Sequence, residues 1–542
     1  MGNCLTCATF LSKESNTLPI ENSFRGGFAS GSIDLGGLEV LQISTFKKIS
    51  AILEGGLDNV GATFLEPSPI PDGYSMLGCY AQPNNMSLFG WVLVGKDVEN
   101  GTLEMPIDYT LVWCSKSLKF KKDGNSYIWL PTPPDGYSAV GLVVTDSCDK
   151  PPFDKVLCVR NDLVESCEQD MWIWGNGKDN NESEINFYGL KPSVRGTQAA
   201  GVLVGTFMIQ MSETVKPPSL SCLKNVNFSS LSCMPKLTQI ESLVQTYSPR
   251  IYLHPDEIYL PSSVNWFFEN GALLYKKGDE PNPVPIQPEG SNLPQGGSND
   301  GEYWLDLPQG DSRDEVKKGD LQSSVAYLHV KPMLGGTFTD IAIWIFYPFN
   351  GPATAKVQLI DLPLGIIGEH VGDWEHVTLR ISNFTGQLRR VYFSQHSRGT
   401  WLDASEVEFE NGNNVVAYAS LNGHAFYPTP GLVLQGNSTL RIGIRNDTAK
   451  SSTVMDVSSR YEIVSAEYLG TVIEPPWLNY ARDWGPKISY DLANQLKSIE
   501  NSLPEGVKSS FENVINVLPS EVLGEEGPTG PKMKKNWSGD EI

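Results

Sequence analysis

A mainly β architecture is predicted by three features of the sequence. Turn formers are abundant, with 51 Gly and 37 Pro among 542 residues. Stretches with helical period are few, and a unit in which a Pro-rich turn and a glycine lead into an apolar strand recurs three times. With 40% apolar and 10% aromatic residues the chain can bury sizeable cores. Its length exceeds what one core usually organises, so two or three domains are expected.

The recurring unit organises the first half. "DGYSMLGCYA" (72–81), "DGYSAVGLVV" (135–144) and "RGTQAAGVLV" (195–204) align without gaps, placing Gly73, Gly136 and Gly196 in register. Each follows an aromatic and Pro-bearing stretch, "FLEPSPIP", "WLPTPPD" and "FYGLKPS". In the third copy Arg195 replaces the Asp and Thr197 the Tyr. Units of this kind cannot bury their apolar faces alone, and three sheets around a pseudo-threefold axis are the natural closure. The unit spans 35–211, holds no histidine and shows no cluster of titratable groups, which points to binding rather than chemistry. A Ser-, Pro- and Lys-bearing linker and one helix follow over 212–245, and a second domain over 246–490, with an exposed loop at 278–300. Residues 491–542 read as a helical segment and a flexible, low-complexity tail.

Net charge of -22 argues against nucleic acid, whose phosphates are bound by clustered Lys and Arg. Lys119, Lys121 and Lys122, or Lys532, Lys534 and Lys535, read as solvated turns and tail. The same acidity opposes adsorption to anionic membranes, so membrane attachment requires another device. The opening "MGNCLTC" supplies one: Gly2 and Thr6 fit the myristoylation pattern, with Cys4 and Cys7 beside it. A myristoyl chain alone binds marginally, with an association constant of about 10⁴ M⁻¹, so palmitate on Cys4 or Cys7 would be the second signal. Neither a signal peptide nor a long apolar run is present, and the nine cysteines show no disulfide framework. These observations place the body on the cytosolic face of the plasma membrane or of endomembranes.

All six histidines lie between His254 and His424. "GEHVGDWEHVTLR" (368–380) is the richest stretch. In a strand starting near Asp373, alternation puts Asp373, Glu375, Val377, Leu379 and Ile381 on one face and Trp374, His376, Thr378 and Arg380 on the other. The two carboxylates then stand at the mouth of a core, with His370 able to fold over them. Adjacent carboxylates repel unless one is protonated or a cation lies between them. One imidazole and two hard oxygens suit Mg²⁺, Mn²⁺ or Ca²⁺ better than zinc. A polar strand end with both acids solvated is the plain alternative. His396 and His424 each emerge at a strand end and are candidates for the same cleft, whereas His254, His329 and His376 read as structural. Nucleophile-elbow, P-loop, dinucleotide and zincin motifs are missing.

Three resemblances follow from these motifs. The N-terminal unit is similar to the β-prism repeats of membrane-associated trafficking proteins. "SPRIYLHPDEIYLPSSVNWFF", "IFYPFNG", "GEHVGDWEHVTLR", "FSQHSRGTWL", "VAYASLNGHAFYPTPG" and "EPPWLNYARDWGP" resemble the plant family of vacuolar protein sorting-associated protein 62 over essentially the whole chain after its tip. That resemblance implies transport to the vacuole. More faintly, "IFYPFNG" through "HVGDWE" to "NGHAFYP" is similar to the necrosis- and ethylene-inducing secreted proteins, whose "HxxDWE" motif on a β-sandwich binds a divalent cation and which contact sphingolipid head groups. By that likeness His370, Asp373 and Glu375 would be ligands, with Asn350 or Asp361 where that family has a further Asp. The expected architecture is a β-prism-like domain of three repeats followed by a β-sandwich with a few helices. The expected function is a lipid-anchored peripheral membrane protein binding a head group or polar ligand with help from a divalent cation. The alternative is a metal-dependent hydrolase using the same cluster, with His396 or His424 as base.

Overall fold

The computed structural model describes residues 28–487 and 528–541, less 57–58, 177–183, 212–216, Ser397 and 438–441, together with isolated positions between 494 and 508. Gly2, Cys4 and Cys7 lie outside the described residues, as does most of the helical segment expected after 490. Among the described residues strands dominate, and no helix is long and apolar enough to cross a membrane.

In the first half, each repeat contributes two small antiparallel sheets. Neither sheet of a repeat closes a core by itself. Phe64, Ile128 and Phe187, one from each repeat, meet in one core with Trp174 and Phe207, and Val40, Val159 and Val202 meet in a second. Shared burial of this kind makes the repeats mutually dependent. Gly73, Gly136 and Gly196 all adopt left-handed backbone, at φ 82°, 87° and 136°, which explains the glycine at the head of every copy. At the centre a Cβ on Gly78 would lie 2.7 Å from the Cα of Gly141, so two of the repeats touch backbone to backbone.

The second half is built on a six-stranded sheet. Its middle strands are β1 (Ala326–Met333), β2 (Phe338–Asn350), β3 (His370–Ser382) and β4 (Leu388–Gln395), flanked by Tyr461–Ser465 beside β1 and Arg398–Asp403 beside β4. β2 and β3 are antiparallel, with Tyr347 opposite Asp373, Ile345 opposite Glu375 and Ile343 opposite Val377. The expected alternation holds. Val377, Leu379 and Ile381 pack with Ile341, Ile343 and Ile345 in one core, closed by a five-stranded sheet (Ile251, Ala417, Met455) and helix α1 (Leu237–Tyr247). On the other face Trp344, Phe346 and Trp374 pack against Phe267, Phe268, Trp477 and Trp484. Since both faces are covered, β2 is an unbroken buried run, "FTDIAIWIFYPFN". Truncating a fully buried side chain such as Leu379 would cost about 3 kcal/mol.

One stretch departs from expectation. Within the segment read as a flexible tail, residues 528–541 are packed: Trp537 stacks on His329 at 3.7 Å and Glu541 is buried against Lys331, His376 and Thr378. Lys331, His376 and Arg380 are buried on this face, and of the acids on the neighbouring strands Asp340 pairs with Arg380. The strap supplies further acids from the end of the chain.

Candidate functional site

The site starts where β3 starts. Gly368 (φ 93°) turns the chain into His370, and Gly372 (φ 68°) lies against Trp484, where a Cβ would come within 2.7 Å of the Trp484 carbonyl oxygen. After this kink Asp373 and Glu375 stand on the same face as Val377, at the end of the core. They are 7% and 6% exposed.

Among the described residues each carboxylate has one hydrogen-bond partner. His424 Nδ1 donates to Asp373 Oδ2 at 3.0 Å, which fixes Nδ1 as the protonated nitrogen, and the ring lies flat on Tyr347, 3.8 Å away. His424 is fully buried, and its Nε2 has no hydrogen-bond partner, with Glu257 Oε2 at 3.7 Å. Glu257 in turn pins the turn before the histidine, its Oε2 accepting from Asn422 N at 2.6 Å. Ser394 on β4 donates to Glu375 Oε2 and accepts from His376 N at 3.0 Å.

Electrostatically the two acids are pushed apart. Burial, and secondly the charge of Asp373, raise the Glu375 carboxyl to about 8. Burial also pushes Asp373 upward, but the hydrogen bond from His424, with the nearby imidazoles and Lys534, more than offsets it and holds Asp373 below its ordinary range. His370 is lowered by burial, against the pull of Asp373, and its Nδ1 bonds to Gly372 O at 3.1 Å. One protonated and one ionised acid thus share the space, the arrangement that relieves repulsion between neighbouring carboxyls.

His370, Asp373, Glu375, His396, Asn446 and Lys534 line one cleft of about 360 Å³. Strand β5 (Ile442–Thr448) supplies Asn446, whose Oδ1 accepts from His396 Nε2 at 3.0 Å while its buried Nδ2 has no partner. Both candidate strand-end histidines have left-handed backbone, His396 at φ 58° and His424 at φ 54°. Non-glycine residues held there are uncommon and gather at functional sites.

The structure therefore brings His370, Asp373, Glu375 and His396 to one cleft and places His424 behind Asp373, sealed from it. The expected convergence of an imidazole nitrogen and two carboxylates on one point is not seen. Among the described residues no group of three or more His, Cys, Asp or Glu is arranged to hold a metal ion. As they stand, these residues do not fit a divalent cation, because His370, Asp373 and Glu375 do not converge and Lys534 adds a positive charge to the same cleft. His376 faces away, stacked on Trp344 at 4.2 Å and bonded to Glu541. His329 lies under Trp537, and His254 Nδ1 accepts from Asp256 N at 3.2 Å. Sequence reasoning passed over Glu257, Tyr347, Ser394 and Asn446, and read Lys534 as part of a solvated tail. Tyr347 had a signal, since it shares the face of the apolar residues in β2. The others reach the site through contacts between distant segments.

Comparison with known proteins gives three results. No curated protein sequence matches the chain. Several solved structures show partial overlap. GNIP1Aa from Chromobacterium piscinae matches at 18% identity and TM-score 0.28, over 38% of this chain and 40% of that one, so the chain spans less than half of that protein. NLPPya in complex with glucosamine matches at 11% and 0.22, over 41% and 80%, and Necrosis and Ethylene inducing Protein 2 from the causal agent of cocoa's witches broom disease at 10% and 0.20, over 51% and 90%. The third result covers nearly the whole sequence, for the profile of vacuolar protein sorting-associated protein 62 matches residues 12–541, and the chain belongs to that family.

Proposed function

We propose that this chain is a lipid-tethered peripheral membrane protein of vacuolar transport that binds a polar ligand, of the kind a membrane head group presents, in the cleft of its C-terminal half. The transport role is what its family suggests. One observation carries the binding role: Asp373, Glu375 and Asn446 line the cleft together, each with a polar atom outside its protein hydrogen bonds. The buried Nδ2 of Asn446, left unpaired among the described residues, costs about 1–3 kcal/mol, and a ligand presenting hydroxyl oxygens would recover that. A form of this reading in which Mg²⁺, Mn²⁺ or Ca²⁺ assists at His370, Asp373 and Glu375 would need the trio to draw together. The hydrolase reading has no favouring observation, because His424 is sealed behind Asp373 and His396 Nε2 is taken by Asn446.

Attachment rests on Gly2, with Cys4 or Cys7 as the second acylation site. Gly2→Ala should move the protein from the membrane to the soluble fraction, and a variant that stays fully membrane-bound removes the tether. The cleft is tested by flotation of the full chain with phosphatidylcholine vesicles, plain or carrying inositol-phosphate, ethanolamine or sugar head groups. A preference for one class, lost in Asp373→Asn while basal flotation persists, is expected. An unchanged preference in Asp373→Asn would place the ligand elsewhere.

A further inference from the structure

The strap of residues 528–541 does more than close the second core. It begins at Trp484, whose N donates to Pro528 O at 2.8 Å, and ends with Glu541 between Lys331, His376 and Thr378. Along the way Ser538 O accepts from Thr197 N at 2.8 Å and Asp540 binds Arg195 and Arg380, so the strap also grips the third repeat of the N-terminal half. Between these anchors the backbone is folded tightly: Lys534 N donates to Pro531 O at 3.1 Å and Trp537 N to Lys534 O at 3.0 Å, with Trp537 clamped on His329.

That turn delivers Lys534 to the cleft, beside Asp373 and Glu375. Its ammonium makes no hydrogen bond or ion pair with a described residue, although most other buried or half-buried cations near the strap, Lys331, Arg380 and Lys532, are paired. Asn446, 2% exposed and with its Nδ2 unpaired among the described residues, borders the same space. The cleft thus has a cation held by backbone anchors rather than by the carboxylates it accompanies.

We propose that Lys534 is the built-in cation of the cleft, a positioning residue that the C-terminal strap holds on the lining it shares with Asp373 and Glu375. Its positive charge opposes a metal ion by Coulomb repulsion and leaves the carboxylates accessible to neutral hydroxyl donors. This rests on the proposed binding role of the cleft and specifies how it is charged.

Mn²⁺ alone is the probe, with the full chain at neutral pH and free ion followed by electron paramagnetic resonance. The unaltered chain should bind Mn²⁺ weakly. Lys534→Met keeps the aliphatic stem and should bind at least about ten-fold more tightly, and Lys534→Arg should bind as the unaltered chain does. Adding Asp373→Asn to Lys534→Met should abolish the gain. Equal affinity in the unaltered chain and Lys534→Met overturns the proposal, as does absence of binding in both or a gain that survives Asp373→Asn. Thermal unfolding of each variant shows whether the fold is intact. If Lys534→Met unfolds, Lys534→Gln takes its place under the same criteria. A head-group preference that depends on Asp373, found together with Mn²⁺ affinity indifferent to Lys534, would retire this proposal and leave the binding role standing.

Discussion

Asp373 and Glu375 on one face of β3, and His376 and Arg380 on the other, are neighbours in sequence and similarly buried, yet their charges are treated in opposite ways. Arg380 reaches Asp340 through Nε at 2.9 Å and Nη2 at 2.7 Å, and Asp540 through the same Nη2, with Trp401 under its guanidinium. Lys331 and Glu541, 1% and 0% exposed at their side chains, pair at 3.2 Å, and Thr378, His376 and Asn536 complete the carboxylate's shell. On the cleft face one acid stays protonated, the other leans on a histidine, and an ammonium stands by without a bond. Buried charge with full partners belongs to architecture, since removing one member leaves the rest stranded. Incomplete pairing along a cleft is where a ligand can still contribute.

This contrast can be broken most severely on the architectural face. Arg380→Met strands Asp340 and Asp540 and should cost about 3–5 kcal/mol in urea unfolding. Lys331→Met and Glu541→Met should each cost a similar amount, while the double variant should recover much of it, because an apolar pair of similar volume often substitutes for a buried ion pair. If the single and double variants add, the pair is not coupled and the strap is held by its other contacts. On the cleft face Asp373→Asn should lower stability by only about 1 kcal/mol while erasing head-group preference, a separation that Arg380→Met cannot produce.

The smallest effect is a slope. Below about pH 4.5 Glu375 is protonated in folded and unfolded chains alike. Between there and about 8 the unfolded chain releases a proton that the folded chain keeps, so Glu375 makes stability fall as pH rises, and the fall levels off above 8. Glu375→Gln should remove that fall, read as a flatter melting temperature across this range. A slope unchanged by Glu375→Gln would mean that the carboxyl is ionised in the fold and that the two faces are less different than described.

Much of this organisation was legible in the chain. Alternation through "DWEHVTLRI" assigned Asp373 and Glu375 to the core side and Trp374, His376 and Arg380 to the other, because a strand has a side-chain period of two and an apolar run identifies the inner face. The glycines at the head of each repeat and the single helix after the linker were likewise local facts. Less could be said of pairing. "PKMKKNW" has the composition of a solvated tail, and nothing within it marks Lys534 for the cleft or Trp537 for His329. Neighbouring acids such as Asp373 and Glu375 repel, and a metal, a proton or a lysine from a distant segment relieves that repulsion equally well on paper.

Sequence by itself determined the β class, the threefold recurrence and the face on which each residue of β3 stands, all of which follow from steric periods a few residues long. Only the tertiary structure decided that Glu257, Asn446 and Lys534 attend the carboxylates and that residues 528–541 bind both halves. Those contacts join segments up to hundreds of residues apart, where no local period survives and the outcome depends on which buried charges the folded chain must neutralise.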